Sequence, residues 1–341
     1  MFQEKLGSLY DKAVRLQHLT EFLTQSKEAA RAGLLAKVDL VTEMVGEFPE
    51  LQGTVGYYYA LENEKESVAN AIAEQYLPKF AGDALPNSEL GCALAIADRL
   101  DTLVGIFGIG QAPTGDKDPF GLRRAALGII RIVLEKEYSF DLPFEAWLTF
   151  AAKNYQIKLS NKHVVNEVKN FILERLNGWY QERNISADKL LAALAVNNDN
   201  LQDIHARVLV IDEFSKRIEA ADLVTANKRV ANILRKEKVT EFDQDFSFAM
   251  INEKILNEPA EKNLYQHVHS IKQHLNNSQK NYSQLLNTLA ELHLPLNRFF
   301  DEVLVNADDE SLKRNRLILL CSLRELFLKV ADISLLSGNS L

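Results

Sequence analysis

The chain has 341 residues, a net charge of −8 and a hydrophobic fraction of 47%. Its length predicts about two domains, and its composition is that of a globular protein with a sizeable core. The acidic balance excludes a protein that coats nucleic acid over its whole surface, and it confines any such contact to a local basic patch.

Cysteine usage and hydropathy predict a soluble, cytoplasmic protein. Cys92 and Cys321 lie far apart, each within an apolar helical pattern, which predicts two buried thiols without a disulfide. Residues 1–16 are amphipathic and lack the apolar centre of a signal peptide. No stretch reaches the roughly 20 apolar residues of a membrane span, and we therefore expect no contact with a membrane.

Helical periodicity predicts an all-α fold with two domains. Apolar residues recur at intervals of three and four throughout the chain, and strand alternation is hard to find. Twelve of the 15 glycines lie between Gly33 and Gly128, which predicts long loops in the first part and short connections in the second. The predicted organisation is a helical domain at 1–140, a linker at 141–156 around Pro143, and a helical bundle at 157–341.

The first motif is LLAKVDLVTEMVGEFPELQGTVGYYYA, from Leu34 to Ala60. Its spacing predicts one helix that ends near Gly46, with an apolar side formed by Leu34, Leu35, Val38, Val41 and Val45. The second motif, ALAIADRLDTLVGIFGIG, predicts a buried helix that carries two acids, Asp98 and Asp101.

The third motif runs from Gln111 to Glu135 and reads QAPTGDKDPFGLRRAALGIIRIVLE. Asp118 is predicted to cap a helix that has Pro119 at its first position. Lys117, Arg123 and Arg124 would then lie near the amino terminus of that helix. They either contact an RNA phosphate or pair with nearby surface acids, and the sequence favours neither.

The second part contains a basic segment within an acidic chain. Five cations occur within eleven residues, namely Lys228, Arg229, Arg235, Lys236 and Lys238. A solvated helix face is the usual interpretation of such a pattern, and contact with phosphates is the alternative. Near the start of the last helix stand Arg314, Asn315 and Arg316, whose side chains suit RNA recognition.

Three histidines, His267, His269 and His274, raise the possibility of a metal site. Of these, His267 and His274 share a helix face but lie about 10 Å apart along the axis, too far to chelate one zinc ion. The spacing therefore predicts histidines that face solvent.

These motifs, in this order, resemble the carboxy-terminal half of bacterial glycyl-tRNA synthetase β-subunits, and the match extends over essentially the whole chain. The resemblance implies an HD-like helical domain followed by an anticodon-binding helical bundle, for which ANKRVANIL looks like a signature. The implied function is the tRNA-binding portion of an ATP-dependent glycine–tRNA ligase.

The resemblance also implies partners and cofactors. The α-subunit would hold the active site and use ATP and magnesium, whereas this chain would bind no cofactor and be inactive alone. The implied partners are tRNA-Gly, the α-subunit and a second β-subunit in a heterotetramer. The expected tRNA-binding residues are Lys117, Arg123, Arg124, Lys228, Arg229, Arg235, Lys236, Arg314, Asn315 and Arg316.

The HD comparison can be made residue by residue. HD phosphohydrolases bind a metal through a His, a His-Asp pair and a distant Asp. Here the pair falls at Val38 and Asp39, the distant acid at Asp98, and the candidate for the first His is His18. Because valine cannot ligate a metal, the comparison implies a degenerate site without a metal.

In such a site, Asp39 and Asp98 are expected to be buried acids bonded to Arg99 or to helix-end amides. Two rival functions stay open from the sequence: an HD-type metal-dependent phosphohydrolase, and a structural module that only docks subunits.

Overall fold

The computed structural model describes residues 5–115, 117–155, 157, 159–239, 244–274 and 281–337. Within these ranges the chain forms sixteen α-helices and no β-strand, which confirms the all-α prediction. The helices are α1 (Leu9–Thr24), α2 (Lys27–Leu35), α3 (Glu43–Glu47), α4 (Thr54–Leu61), α5 (Glu66–Glu74), α6 (Glu89–Gly108), α7 (Leu122–Glu135), α8 (Phe144–Lys153), α9 (Val164–Gln181), α10 (Ala187–Leu194), α11 (Leu201–Ser215), α12 (Ala220–Lys236), α13 (Pro259–His274), α14 (Tyr282–Ala290), α15 (His293–Glu302) and α16 (Glu310–Leu328).

Short 3-10 helices complete the described structure. They span Val38–Val41, Pro49–Leu51, Gln244–Phe246, Phe248–Met250, Glu253–Ile255 and Ile333–Leu335. None of the described helices combines the length and the apolar character that a membrane crossing requires. Cys92 and Cys321 are buried thiols outside any disulfide, as predicted.

The helices form two compact units, one of residues 1–182 with 199–202 and the other of residues 183–198 with 203–341. The predicted linker at 141–156 is wrong, because most of it is α8. Pro143 precedes this helix, whose residues Trp147 and Leu148 are buried. Both α8 and α9 pack against α6, so the first unit continues past the predicted boundary.

The centre of the first unit is α6, which is surrounded by α1, α2, α5, α7, α8 and α9. Its residues are buried almost without interruption, as in a helix that is apolar on all sides. Gly105 allows a close approach, because a Cβ atom there would collide with the Tyr155 hydroxyl. That hydroxyl donates a hydrogen bond of 2.7 Å to the carbonyl oxygen of Asp101.

The single helix predicted from Leu34 to Gly46 is wrong. The chain breaks after α2, forms a 3-10 turn and then begins α3. Val38 and Val41 are 44% and 73% exposed, whereas Lys37 and Asp39 are buried. The inward positions of this segment thus belong to charged side chains, which the apolar pattern could not indicate.

In the second unit, α16 packs against α12, α13 and α14. Its buried face is nearly continuous from Asn315 to Leu323. α12 also packs against α15 and against the 3-10 helix at Ile333–Leu335. This packing fixes which sides of α12 and α16 face solvent.

Candidate nucleic-acid interface

α12 buries an apolar side and leaves its cations accessible. Its buried side is formed by Leu223, Val224, Ala226, Asn227, Val230 and Leu234. Arg229, Arg235 and Lys236 are exposed, and Lys228 is partly exposed. Within the described ranges none of these four pairs with a carboxylate. We call these four residues the α12 cations.

Two of the α12 cations are held by neighbouring side chains. The Arg229 guanidinium lies 4.3 Å from the ring centroid of Phe300 on α15, a cation–π contact. Arg235 donates a hydrogen bond of 2.6 Å to the side-chain oxygen of Asn232. Such contacts restrict the side chains without neutralising them, so the charges stay available to an anionic ligand.

The carboxyl end of α12 lies beside the amino end of α16. Glu237 and Lys313 form an ion pair of 2.8 Å between them. On α16, Arg314 is exposed and donates to the carbonyl oxygen of Asp245 at 2.9 Å. Its guanidinium lies 5.4 Å from the ring centroid of Phe246. The structure therefore brings Arg314 to the end of the unit that also carries the last α12 cations.

Aromatic side chains that the sequence reasoning missed continue this surface. The rings of Phe248 and Tyr265 are stacked at 5.4 Å, and His269 meets both edge-on at 5.6–5.7 Å. Lys272 lies 5.1 Å from the centroid of Phe248. We call Phe246, Phe248, Tyr265 and His269 the aromatic patch, and each of its members is partly exposed.

The aromatic patch had a signal in the sequence. Phe246 and Phe248 stand two residues apart in the segment FDQDFSFAM, which mixes aromatic and polar residues without a helical period. Aromatic residues in a segment without helical period do not lie on the buried face of a helix. Such residues often face solvent or a ligand. The predicted solvent-facing position of His269 is partly wrong, because its ring packs on Tyr265.

Two predicted tRNA contacts are wrong. Asn315 is 3% exposed, and its amide both accepts from the backbone of Asn252 at 2.8 Å and donates to it at 3.2 Å. Arg316 is 5% exposed and pairs with the fully buried Glu261 at 2.6 Å. Their polar groups hold the unit together and cannot reach an RNA. The sequence could not distinguish them from Arg314, one position earlier.

The basic turn before α7 is built nearly as predicted. The Asp118 carboxylate accepts from the amides of Leu122 and Arg123 at 2.8 and 2.9 Å, which confirms its capping role. The helix nevertheless begins at Leu122 and not at Pro119, because Gly121 adopts a left-handed conformation with φ of 65°.

The cations of this turn have no acidic partner among the described residues. Lys117 and Arg124 are exposed, and Arg123 donates to the carbonyl oxygen of Gly115. Within the described ranges, which omit Asp116, no carboxylate pairs with any of the three. The surface ion pairs considered as one alternative are therefore not formed with any described acid.

Of the two acids of the HD comparison, Asp39 is fully buried in the first unit and Asp98 lies at the edge of its core. Asp98 is held by two ammonium groups, Lys12 at 2.8 Å and Lys37 at 2.9 Å. The bond expected between Asp98 and Arg99 is wrong. Asp39 accepts from the amide of Gly53 at 2.6 Å, just before α4, so the expected helix-end amide is confirmed there.

Asp101, on the next turn of α6, joins the same network. It accepts from Arg15 at 2.7 Å and from Lys12 at 3.2 Å. The candidate His18 does not take part, because its ring bonds to Asn154 at 3.2 Å. The residue of α1 that meets Asp98 is Lys12, which carries its charge at every physiological pH.

The electrostatics of this network oppose metal binding. Burial alone would raise the pKa of Asp98, but the ammonium groups of Lys12 and Lys37 outweigh it and lower that pKa below its ordinary value. Burial lowers the pKa of Lys37, and Asp98 opposes this change. The two ammonium groups, one at each oxygen of Asp98, would repel a divalent cation from this carboxylate. Among the described residues, no three His, Cys, Asp or Glu side chains group as metal ligands.

Comparisons with known proteins agree with the division of the chain into two units. Residues 1–195 match the family model of the glycyl-tRNA synthetase beta subunit, and residues 223–333 match that of the DALR anticodon binding domain. The second match contains the α12 cations and the whole aromatic patch. Together the all-α units and the two matches define an aminoacyl-tRNA synthetase component. The chain belongs to the glycyl-tRNA synthetase beta subunit family.

Similar proteins cover nearly the whole chain. It is 46% identical over 345 residues to the glycine–tRNA ligase beta subunit of Coxiella burnetii, with 99% of the chain aligned. The identity is 45% to that of Hahella chejuensis over 100% of the chain, and 47% to that of Tolumonas auensis over 98%. The chain spans about half the length of these relatives, 49% of each.

Proposed function

We propose that this chain is the tRNA-binding portion of a glycine–tRNA ligase β-subunit. The first unit is then an HD-like domain whose metal site has become a buried ion-pair network. The α-subunit carries out the ATP-dependent ligation with magnesium, and this chain alone neither holds those cofactors nor charges tRNA. Its partners are tRNA-Gly, the α-subunit and a second β-subunit.

The observation that carries this proposal is the aromatic patch beside Arg314. Unpaired bases of an RNA loop stack on aromatic and guanidinium groups, and their phosphates bind arginine and lysine. The stack of Phe248 on Tyr265, together with Arg314 against the neighbouring ring of Phe246, offers both kinds of contact within one surface. The α12 cations extend that surface along the carboxyl half of α12, about 12 Å, which suits the stem that carries such a loop.

Charge reversal on α12 tests the proposal. The variant Lys228→Glu, Arg229→Glu and Arg235→Glu should weaken the binding of tRNA-Gly, and it should reduce the slope of log affinity against log salt by about 1 for each phosphate that the variant no longer binds. The measurement is a filter-binding or fluorescence titration of the full chain at several salt concentrations.

The control has the same change in net charge at a different place. Lys5, Lys153 and Lys162 are exposed lysines of the first unit, and their reversal to glutamate should leave the salt slope unchanged. Equal losses of affinity in both triple variants would show that the effect comes from the net charge of the protein and not from a site on α12. Unchanged affinity in the α12 variant would favour a module that only docks subunits.

A further inference from the structure

A cleft opens on the surface of the first unit, apart from the aromatic patch. It has a volume of about 720 Å³ and lies between residues 49–52, residues 75–79, one side of α6 and the start of α7. Sites for small molecules in proteins have volumes of about 300–1,000 Å³. The cleft is therefore large enough for a molecule of the size of a nucleotide.

The floor of the cleft carries a net positive charge. Asp98 lines it, but Lys12 and Lys37 already neutralise this carboxylate. Arg99 also lines the cleft, and its guanidinium donates at 2.8–3.4 Å to four carbonyl oxygens, those of Gln75, Ala95, Tyr76 and Pro78.

The guanidinium of Arg99 is held in place by carbonyl oxygens, and these do not neutralise its positive charge. Burial lowers its pKa to about 10, so the guanidinium stays protonated at neutral pH. No carboxylate pairs with it within the described ranges. Because its four bonds to carbonyl oxygens fix the group in place, Arg99 supplies a stationary positive field beneath the cleft.

The rim of the cleft adds two cations and an aromatic ring. Lys79 and Arg124 are exposed, and neither pairs with a carboxylate in the part of the chain that the structure describes. Phe120, which is 41% exposed, stands beside Arg124 at the start of α7. Besides Asp98, the carboxylate that lines the cleft is Glu50. The rim thus combines groups that bind phosphate with a surface on which a flat base can stack.

We propose that this cleft binds one nucleotide without a divalent cation. The phosphate lies between Lys79 and Arg124, above the field of Arg99, and the base stacks on Phe120. Since Lys12 and Lys37 occupy Asp98, Glu50 is the one lining acid outside an ion pair among the described residues, and a single carboxylate does not make a metal site. The site therefore binds without chemistry. The nucleotide is either a free mononucleotide or an unpaired residue of an RNA. All the lining residues belong to the first unit, so binding here is independent of the anticodon-binding role of the second.

Calorimetric titration of the full chain in EDTA tests the proposal. The probes are the four ribonucleoside 5′-monophosphates, their nucleosides, inorganic phosphate and a single-stranded tetraribonucleotide. We expect at least one mononucleotide or the tetranucleotide to bind one-to-one, with the matching nucleoside at least about tenfold weaker because it lacks the charge-assisted hydrogen bonds to phosphate. A mononucleotide that binds identifies a free nucleotide as the ligand, whereas binding of the tetranucleotide alone identifies an RNA.

Variants locate the binding in the cleft. Lys79→Gln and Arg124→Gln should each weaken binding by about tenfold, and Phe120→Ala by at least about fivefold. Lys153→Gln, an exposed lysine elsewhere in the first unit, should have no effect. The proposal is overturned if no probe binds at about 1 mM, if binding requires magnesium or manganese, or if the cleft variants bind as tightly as the parent chain.

Discussion

Replacing Asp98 with asparagine lowers the free energy of unfolding of the first unit by about 3–5 kcal/mol, the cost of removing one partner from a buried ion pair. The substitution preserves the size of the side chain, so no cavity contributes to the effect. It leaves the ammonium groups of Lys12 and Lys37, each about 4% exposed, without their shared carboxylate. Such a change removes a large part of the free energy of unfolding of a protein of ordinary stability.

Tryptophan fluorescence during urea unfolding measures this effect in the correct unit. Trp147 and Trp179 are the two tryptophans of the chain, and both belong to the first unit. Glu62→Gln, at an exposed acid of the same unit, should change stability by no more than about 0.5 kcal/mol. If Asp98→Asn lowered the free energy of unfolding no more than this control does, the ion-pair network would not be a main source of the stability of the first unit.

The second large effect is expected on tRNA binding. Phe248→Ala should weaken the binding of tRNA-Gly by about 5- to 150-fold, the range measured for removing one stacked base from an aromatic side chain. Phe248 stacks on Tyr265 and lies under Lys272, so the substitution removes the centre of the aromatic patch. The measurement is a fluorescence titration of labelled tRNA with the full chain.

Two controls accompany Phe248→Ala. Tyr10→Ala removes another exposed aromatic, 71% exposed on α1, and should leave affinity unchanged. Phe248→Tyr keeps a ring and should retain most of the affinity. If the alanine variant bound tRNA as tightly as the parent chain, the aromatic patch would not be part of the tRNA-binding interface.

The two buried acids show what the HD comparison could and could not predict. The sequence identifies Asp39 and Asp98 as the acids of a lost metal site; Asp39 is fully buried, and Asp98 lies at the edge of the core with its side chain 17% exposed. Their partners were not identified, because Lys12 and Lys37 are distant in the sequence and lysine usually faces solvent. The ammonium groups around Asp98 become visible only when α1, the turn after α2 and α6 are packed together.

Periodicity predicted the all-α fold, and it failed where other forces decided the position of a residue. The long α6 was predicted with its acids because apolar residues surround them on all sides. The segment after α2 was not, since a buried lysine and aspartate outweigh the pattern of its valines. The linker was misplaced because Pro143 begins a helix that packs on the first unit.

The sequence predicted the cations of the candidate site but not its aromatic side chains. Exposed cations on α12 and Arg314 stand out in an acidic sequence. Burial is not readable from residue type, however, and Asn315 and Arg316 bond instead to the backbone of Asn252 and to Glu261. The aromatic patch combines residues from an irregular segment and from α13, and only the fold brings them into contact.

Nuclease footprinting of tRNA-Gly, with and without the chain, tests most directly whether this protein binds the anticodon arm. We expect protection of the anticodon loop and of the stem beside it, reduced in Phe248→Ala and in the triple reversal on α12. An RNA whose anticodon stem and loop stay fully open to cleavage at saturating protein would contradict that role.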